Sequence, residues 1–214
     1  MLGLLILLTC SNVLFSEDWG ISYQSGVDPA ADLTANWTAT GDWSSQGDAI
    51  TIKSDQEALL RLNAPISDPV IQVQFDFTVK SETFNEAGVI IGLGGGGRRA
   101  AAQFILSGGE QPNVRLVVPA RTPVIVDNLT FKTGESYSVL ANVNGMSVEL
   151  FINGTQVAQR QLLTPLNAGQ IALFATEGEM VFENLRIRTK KISDAQAAQR
   201  AREITRDLAF KAQF

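Results

Sequence analysis

Apolar and polar positions alternate most clearly between residues 137 and 188. Two Asn-Gly pairs, Asn144-Gly145 and Asn153-Gly154, interrupt this alternation. Asn-Gly is the preferred sequence of a two-residue hairpin turn, because both central residues of a type I′ turn need a positive φ. The alternation on either side of each pair therefore predicts an antiparallel meander of β-strands.

Upstream segments carry the same signal. Residues 70–79 alternate throughout, which is typical of a strand with one face in a core. Residues 87–93 are nearly all apolar and predict a central strand that is buried on both faces. Residues 49–53 and 58–62 predict two short strands joined by a turn. About a dozen short strands with no helices between them indicate an all-β, two-sheet antiparallel sandwich.

Residues 17–47 have a different composition. They are rich in Asp, Ser, Thr, Gly and Ala, and they contain Trp19, Trp37 and Trp43. This segment predicts irregular structure that wraps one edge of the sandwich, with the tryptophans as anchors.

The N-terminal 16 residues predict a signal peptide that precedes a sandwich domain at residues 17–190. The apolar run at residues 2–8 is shorter than the ~20 residues that a membrane-spanning helix needs, and it fits a signal-peptide core with cleavage after Ser16. Two alternatives remain open, a buried first strand and a bacterial lipoprotein lipidated at Cys10. Cleavage would leave a mature chain without cysteine or a transmembrane span. The expected location is secreted, in the periplasm or on the cell surface of a bacterium.

Residues 191–214 predict a short C-terminal helix or tail. Ser193 is a suitable N-cap, and Ala197, Ala201, Ile204 and Leu208 recur at spacings of three or four residues. Such a helix either packs weakly on the domain or binds a protein partner. The second alternative predicts an apolar patch near Ile204, Leu208 and Phe210.

Composition excludes several chemistries. The chain has 22 acidic and 17 basic residues, which argues against nucleic-acid binding because that function needs a basic face. It has no histidine, which excludes histidine-based catalytic triads and histidine-ligated zinc. Asp42, Asp48 and Asp55 stand in separate predicted turns, so we expect no obligatory metal, and we expect no cofactor.

Several segments together resemble a known family. They are residues 36–43, 47–50, 73–77, 88–92, 134–137, 148–154, 169–174 and 181–188. With these segments in place, residues 32–188 resemble the concanavalin A-like lectin/glucanase jelly roll. More narrowly, they are similar to laminin-G-like and bacterial 3-keto-disaccharide hydrolase-type domains. The resemblance implies a jelly-roll sandwich, a fold that hosts lectins, hydrolases, lyases and adhesion modules alike.

The resemblance does not bring a catalytic motif with it. The glucanase branch is similar to a retaining glycosidase with a Glu-x-Asp-x-x-Glu strand, and retention needs two carboxyl groups about 5–5.5 Å apart. This chain lacks that motif: Asp76 is the single acid in its strand, and Glu177 and Glu179 flank Gly178 in a predicted turn. Hydrolases of the keto-disaccharide type are implied to use histidine and clustered acids on the concave face, and this chain has no histidine. An enzyme is therefore the less favoured interpretation.

A sugar site needs an aromatic face for stacking and planar groups that hydrogen-bond to hydroxyls. Arg98 and Arg99 follow the glycine run at residues 94–97 and suit anionic sugars. The predicted ligand-binding residues are Arg98, Arg99, Gln103, Arg115 and Trp43. The alternatives are a solvated hairpin tip for the two adjacent arginines and a core anchor for the tryptophan.

These observations predict an exported, non-catalytic carbohydrate-binding or adhesion-type module. Two alternatives come from other classes of protein. One is a glycoside-active enzyme of the 3-keto-disaccharide hydrolase type. The other is a structural or assembly subunit that contacts protein partners through its sheet edges and C-terminal helix.

Overall fold

A computed structural model of the chain describes residues 19–25 and 35–191. The predicted signal peptide at residues 1–16 lies outside the described residues, as do residues 192–214 of the predicted C-terminal helix. Within the described ranges, no helix is long and apolar enough to cross a membrane.

The described residues form thirteen strands and one short 3₁₀ turn, Gly97–Ala100. The strands are β1 Gly20–Gln24, β2 Trp37–Thr40, β3 Asp42–Gln46, β4 Ala49–Leu62, β5 Val70–Val79, β6 Glu86–Leu93, β7 Ala102–Ser107, β8 Asn113–Val117, β9 Val124–Asp127, β10 Ser136–Asn144, β11 Ser147–Ile152, β12 Thr155–Gln161 and β13 Gln170–Lys190. The prediction of an all-β antiparallel protein is confirmed.

Two long strands, β4 and β13, pair with strands of both sheets and so join the two sheets through backbone hydrogen bonds. The first half of β13 pairs with β6 and its second half pairs with β5, while β4 runs beside most of its length. One set has the order β9-β8-β7-β6-β13-β4-β2 and is called sheet A. The other has the order β12-β11-β10-β5-β13-β4-β3, with β1 beside the end of β13, and is called sheet B. The main core contains side chains from both sheets.

Three sequence expectations about local structure are wrong. The two short strands predicted at residues 49–53 and 58–62 form one strand, β4, because both halves pair with β13. The edge wrap predicted as irregular contains β1, β2 and β3, which pair with β13 or β4. The turn predicted at Gly178 lies inside β13. In each case, pairing with a distant strand extends the chain where local composition favours a turn.

Two irregularities decide which side chains of β13 face the core. At Glu177 and Gly178, φ is 52° and 120°, and the register against β4 shifts. At Asn184, φ is 53°, and β13 has one more residue than β5 between consecutive pairs. Each irregularity reverses the alternation of side chains, since a one-residue slip moves every side chain to the other face. The core-facing residues are Ile171, Leu173 and Ala175 before the first, Met180 and Phe182 between the two, and Leu185 and Ile187 after the second.

Both predicted hairpins are confirmed. The β11–β12 turn has Asn153 and Gly154 at its centre with φ of 50° and 77°, as a type I′ turn requires. The β10–β11 turn is displaced by one residue, because Asn144 pairs with Ser147. Its first central residue is Gly145, with φ of 61°, which is where a type II′ turn needs glycine.

Aromatic rings fill the centre of the core. The ring centroid of Phe77 lies 5.7 Å from Phe84, 5.8 Å from Phe131 and 5.7 Å from Phe182. Phe77 and Phe182 are fully buried. These residues come from sheet B and from the loops at one end of the sandwich, so the cluster ties the loops to the sheet.

We expect Gly178→Ala to lower the free energy of unfolding by about 1–3 kcal/mol, because a side chain at this φ is strained. The added Cβ would also lie 2.6 Å from the carbonyl oxygen of Thr83. Gly95→Ala is the control, since no atom lies within 4 Å of its added Cβ. Urea unfolding of both variants measures the difference in stability. Equal stability of the two variants would contradict the claim that a side chain at position 178 strains the backbone of β13.

We expect Phe77→Ala to destabilise the protein by about 3–5 kcal/mol, since it leaves a cavity among three other rings. Phe151→Ala is a matched control, because Phe151 is only partly buried on the outer face of sheet B. Thermal and urea unfolding provide the comparison. A similar loss in both variants would mean that the ring cluster does not dominate the core.

Candidate functional site

The outer face of sheet A brings together three of the five predicted site residues. The strand register arranges its side chains in rows that run across the sheet. One row contains Asp127, Asn113, Ser107, Glu86, Thr176 and Glu57. The next contains Ile125, Arg115, Ile105, Gly88, Phe174 and Leu59. The third contains Val117, Gln103, Ile90, Ala172 and Arg61.

A small apolar floor lies beneath these polar groups. It is separate from the main core and consists of Ile90, Ala101, Ile105, Ala172 and Phe174. Gly88 pairs with Phe174 and Ile105 of this floor, and an added Cβ there would overlap the carbonyl oxygen of Phe104 on the neighbouring strand. The added Cβ would also lie 3.2 Å from the Phe174 ring, so glycine leaves room for that ring.

The glycine-rich loop folds over this floor rather than projecting from it. Its 3₁₀ turn places the guanidinium carbon of Arg98 4.7 Å from the centre of the Phe174 ring, a cation–π contact. Nη1 of Arg98 is 3.1 Å from Oε2 of Glu57, and Nε2 of Gln103 donates to the carbonyl oxygen of Arg98 over 3.2 Å. The loop is therefore held at three points, and the Arg98 side chain remains 29% exposed.

A second arginine is held on the same face. Nη2 of Arg115 pairs with Oε1 of Glu86 and donates to Oγ of Ser107 over 3.3 Å. The side chains of Arg115 and Glu86 are both 30% exposed. Arg115 lies on β8 and Glu86 on β6, so the pair spans β7, and the β6–β7 and β7–β8 registers fix its position.

Three polar atoms of this face are buried without a hydrogen-bond partner among the described residues. They are Nη2 of Arg98, Nε of Arg115 and Oδ1 of Asn113. Buried polar groups in proteins nearly always have partners, either in the protein or in water and ligands. Two donors and one acceptor of this face therefore lack partners, while the side chains of Arg98 and Arg115 remain 29% and 30% exposed.

The remaining two predicted residues lie elsewhere or make no contact. Arg99 is exposed on the 3₁₀ turn and has no polar partner among the described residues. Trp43 lies on β3 of sheet B, where it packs on the core, with its ring 6.1 Å from Phe182. Its indole nitrogen donates to the carbonyl oxygen of Thr40 over 3.0 Å. The tryptophan is a core anchor, which was the alternative interpretation, and it does not reach the sheet A face.

Sequence reasoning missed the partners of the two arginines. Glu57 and Glu86 flank Thr176 in one row, although about 30 residues separate them along the chain. The alternation of β7 and β8 could have placed Ser107 and Asn113 beside Gln103 and Arg115. No local signal pairs β13 with both β4 and β6, so the acids could not be placed from the sequence.

The same acids do not reproduce a retaining-glycosidase pair. Their backbones are two strand spacings apart, about 10 Å, whereas retention needs carboxyl groups about 5–5.5 Å apart. Each carboxylate is also ion-paired with an arginine. Among the residues described, no three acidic or cysteine side chains come close enough together to hold a metal ion. The arrangement is suited to binding through planar hydrogen-bonding groups.

The sequence of the chain matches no family model, and no curated protein matches it. Its structure is similar to solved structures at low sequence identity. Carbohydrate binding module CBM66 from Bacillus subtilis aligns with a TM-score of 0.57 and 14% identity, covering 72% of this chain and 96% of that one. β-Agarase A, in complex with oligoagarose, aligns with a TM-score of 0.60 and 12% identity, covering 80% and 92%. The carbohydrate recognition domain of Emp47p aligns with a TM-score of 0.55 and 12% identity, covering 74% and 90%.

These similarities agree with the antiparallel β fold described above and with the resemblance found in the sequence. At such low identity they establish architecture and leave the activity to be argued from the residues. The chain has the concanavalin A-like jelly-roll fold.

Proposed function

We propose that this protein is a non-catalytic carbohydrate-binding module whose ligand lies on the outer face of sheet A. The observation that carries the proposal is the pair of partly exposed guanidinium groups of Arg98 and Arg115, which lie on one face with the amides of Gln103 and Asn113. Sugar hydroxyls both donate and accept hydrogen bonds, so one ring can satisfy donors and acceptors that lie side by side. The guanidinium groups add planar, charged donors, which form stronger hydrogen bonds than neutral groups.

An exposed apolar side chain on the same face supports this interpretation. Ile125 on the edge strand β9 lies beside Arg115 in the same row and is 55% exposed. Ile105 and Phe174 are buried in that row and form the base on which the arginines lie. A pyranose ring has one apolar face and polar edges, and it matches a surface of this kind.

The names of the structural neighbours support the class of ligand. One neighbour is a carbohydrate-binding module, one is a carbohydrate recognition domain, and one was solved with oligoagarose.

We propose in addition that the protein is exported, because residues 2–8 form an apolar run typical of a signal peptide. Arg99 is exposed beside Arg98, and we propose that it contributes charge to the rim of the sheet A site.

We expect Arg98→Gln and Arg115→Gln each to weaken sugar binding about tenfold or more, since each removes hydrogen bonds to a charged group. A glycan array identifies the sugar, and titration calorimetry gives the affinities. Arg121→Gln is the control, because Arg121 is an exposed arginine in the loop between β8 and β9.

The proposal fails if both variants bind as tightly as the unchanged protein while remaining folded by circular dichroism. Hydrolysis of the bound sugar, followed as release of reducing ends, would contradict the non-catalytic part of the proposal alone. Secretion is checked separately by the N-terminal sequence of the protein isolated from cells, which is expected to begin at Glu17.

A further inference from the structure

The outer face of sheet B carries a stripe of cations that the sheet A site does not use. Beyond the irregularity at Asn184, the outward residues of β13 are Arg186, Arg188 and Lys190, at alternate positions. Alternate residues of a strand are about 6.6 Å apart, so the stripe extends for about 13 Å along the strand. Without the extra residue at Asn184, these side chains would face the core and Leu185 and Ile187 would face solvent.

Two arginines of the stripe have no partner in the described part of the chain. Neither Arg186 nor Arg188 makes an ion pair or a side-chain hydrogen bond there, and both side chains are partly exposed. Their cross-strand neighbours on β5 are the neutral residues Gln74 and Gln72. On β1 their neighbours are Gln24 and Ile21, and the side chain of Ile21 is 62% exposed.

Two of the carboxylates that share this face are hydrogen-bonded to amides. Asp76 accepts a hydrogen bond from Nδ2 of Asn184 over 2.8 Å, and its cross-strand neighbour Glu183 forms no ion pair with either arginine in the described residues. Glu149 accepts hydrogen bonds from Nδ2 of Asn142 over 2.9 Å and from Nε2 of Gln159 over 3.5 Å. Because the chain carries a net charge of −5, unpaired cations here are a local feature and do not reflect composition.

An apolar platform lies in the same rows as the arginines. One row contains Gln24, Arg186, Gln74, Leu140 and Phe151. The adjacent row contains Ile21, Arg188, Gln72, Asn142 and Glu149. Leu140 and Phe151 are partly exposed, and Phe151 stacks on no other ring in the described residues. Oδ1 of Asn142 is buried without a partner there.

We propose that this face binds a linear acidic glycan. The rings of the sugar chain would stack on Leu140 and Phe151, the amides of Gln72 and Gln74 would bind hydroxyls, and Arg186 and Arg188 would pair with carboxylates. From Phe151 to Arg186 the row crosses three strand spacings, about 14 Å, so it accommodates several sugar units and not one.

Other polyanions fit this face less well. Duplex DNA repels an acidic protein, and a membrane surface calls for a continuous apolar face. Here the arginines and the amides of Gln72 and Gln74 separate Ile21 from Leu140 and Phe151. Neutral amides beside the cations suit a ligand that carries both carboxylates and hydroxyl groups. The inference stands apart from the sheet A site, since the two faces lie on opposite sides of the core and share no side chain.

The test measures binding of the full chain to polygalacturonate, alginate and hyaluronate by affinity electrophoresis and calorimetry. Methyl-esterified polygalacturonate is the matched ligand control, because it keeps the sugar backbone and removes the charge. We expect the double variant Arg186→Gln/Arg188→Gln to lose about tenfold or more in affinity for one acidic polymer. Phe151→Ala is expected to weaken binding to the same polymer, and added salt is expected to weaken it further.

Arg98→Gln separates the two faces. It is expected to leave acidic-glycan binding unchanged, and the double variant is expected to leave binding at the sheet A face unchanged. Several results would overturn the inference: no binding to any acidic polymer, equal binding of the methyl ester, or full affinity in the double variant. Binding of phosphatidylglycerol vesicles or single-stranded DNA in place of every glycan would also overturn it and assign the stripe to that ligand.

Discussion

The structure depends on a single strand that serves both sheets. β13 pairs with β6 over its first half and with β5 over its second, and it passes between them at Glu177 and Gly178. If this strand stopped at a turn, as local composition suggests, the two sheets would no longer share a central strand. Backbone hydrogen bonds to β4 along most of its length hold the bend in place. The left-handed conformation at Gly178 is the local cost of that continuity.

The same strand sets the chemistry of both outer faces. Before the bend it presents Phe174 and Thr176 to the sheet A face, and after Asn184 it presents Arg186 and Arg188 to the sheet B face. The two faces differ in how their charges are balanced. On sheet A, Arg98 and Arg115 are each ion-paired with a glutamate, which agrees with the hydroxylated ligand proposed for that face. On sheet B, Arg186 and Arg188 have no ion-pair partner among the described residues, which agrees with the acidic ligand proposed for that face.

Part of the sheet A site could be predicted from the sequence. Arg98, Gln103 and Arg115 come from consecutive segments around β7, so local alternation was enough to place them on one face. The sequence does not decide whether Trp43 is a sugar platform or a core anchor. In a short edge strand, the sequence pattern around an aromatic residue is the same whether its ring faces the core or solvent. Its contact with Phe182 comes from the far end of the chain. Phe151, a partly exposed aromatic residue on the outer face of sheet B, does not stand out in the sequence because it belongs to the regular alternation of β11.

The sequence by itself determined the all-β antiparallel fold class, the two hairpins and the inward faces of the central strands. These features depend on alternation and turn preference, which act over a few residues. The tertiary structure alone decided that β4 and β13 are continuous, that Glu57 and Glu86 meet the two arginines, and that Arg186 and Arg188 face outward. The physical reason is that the register between distant strands is set by how the core side chains of both sheets pack against each other. One extra residue at Asn184 reverses every side chain that follows it, and no local pattern predicts where that residue is inserted.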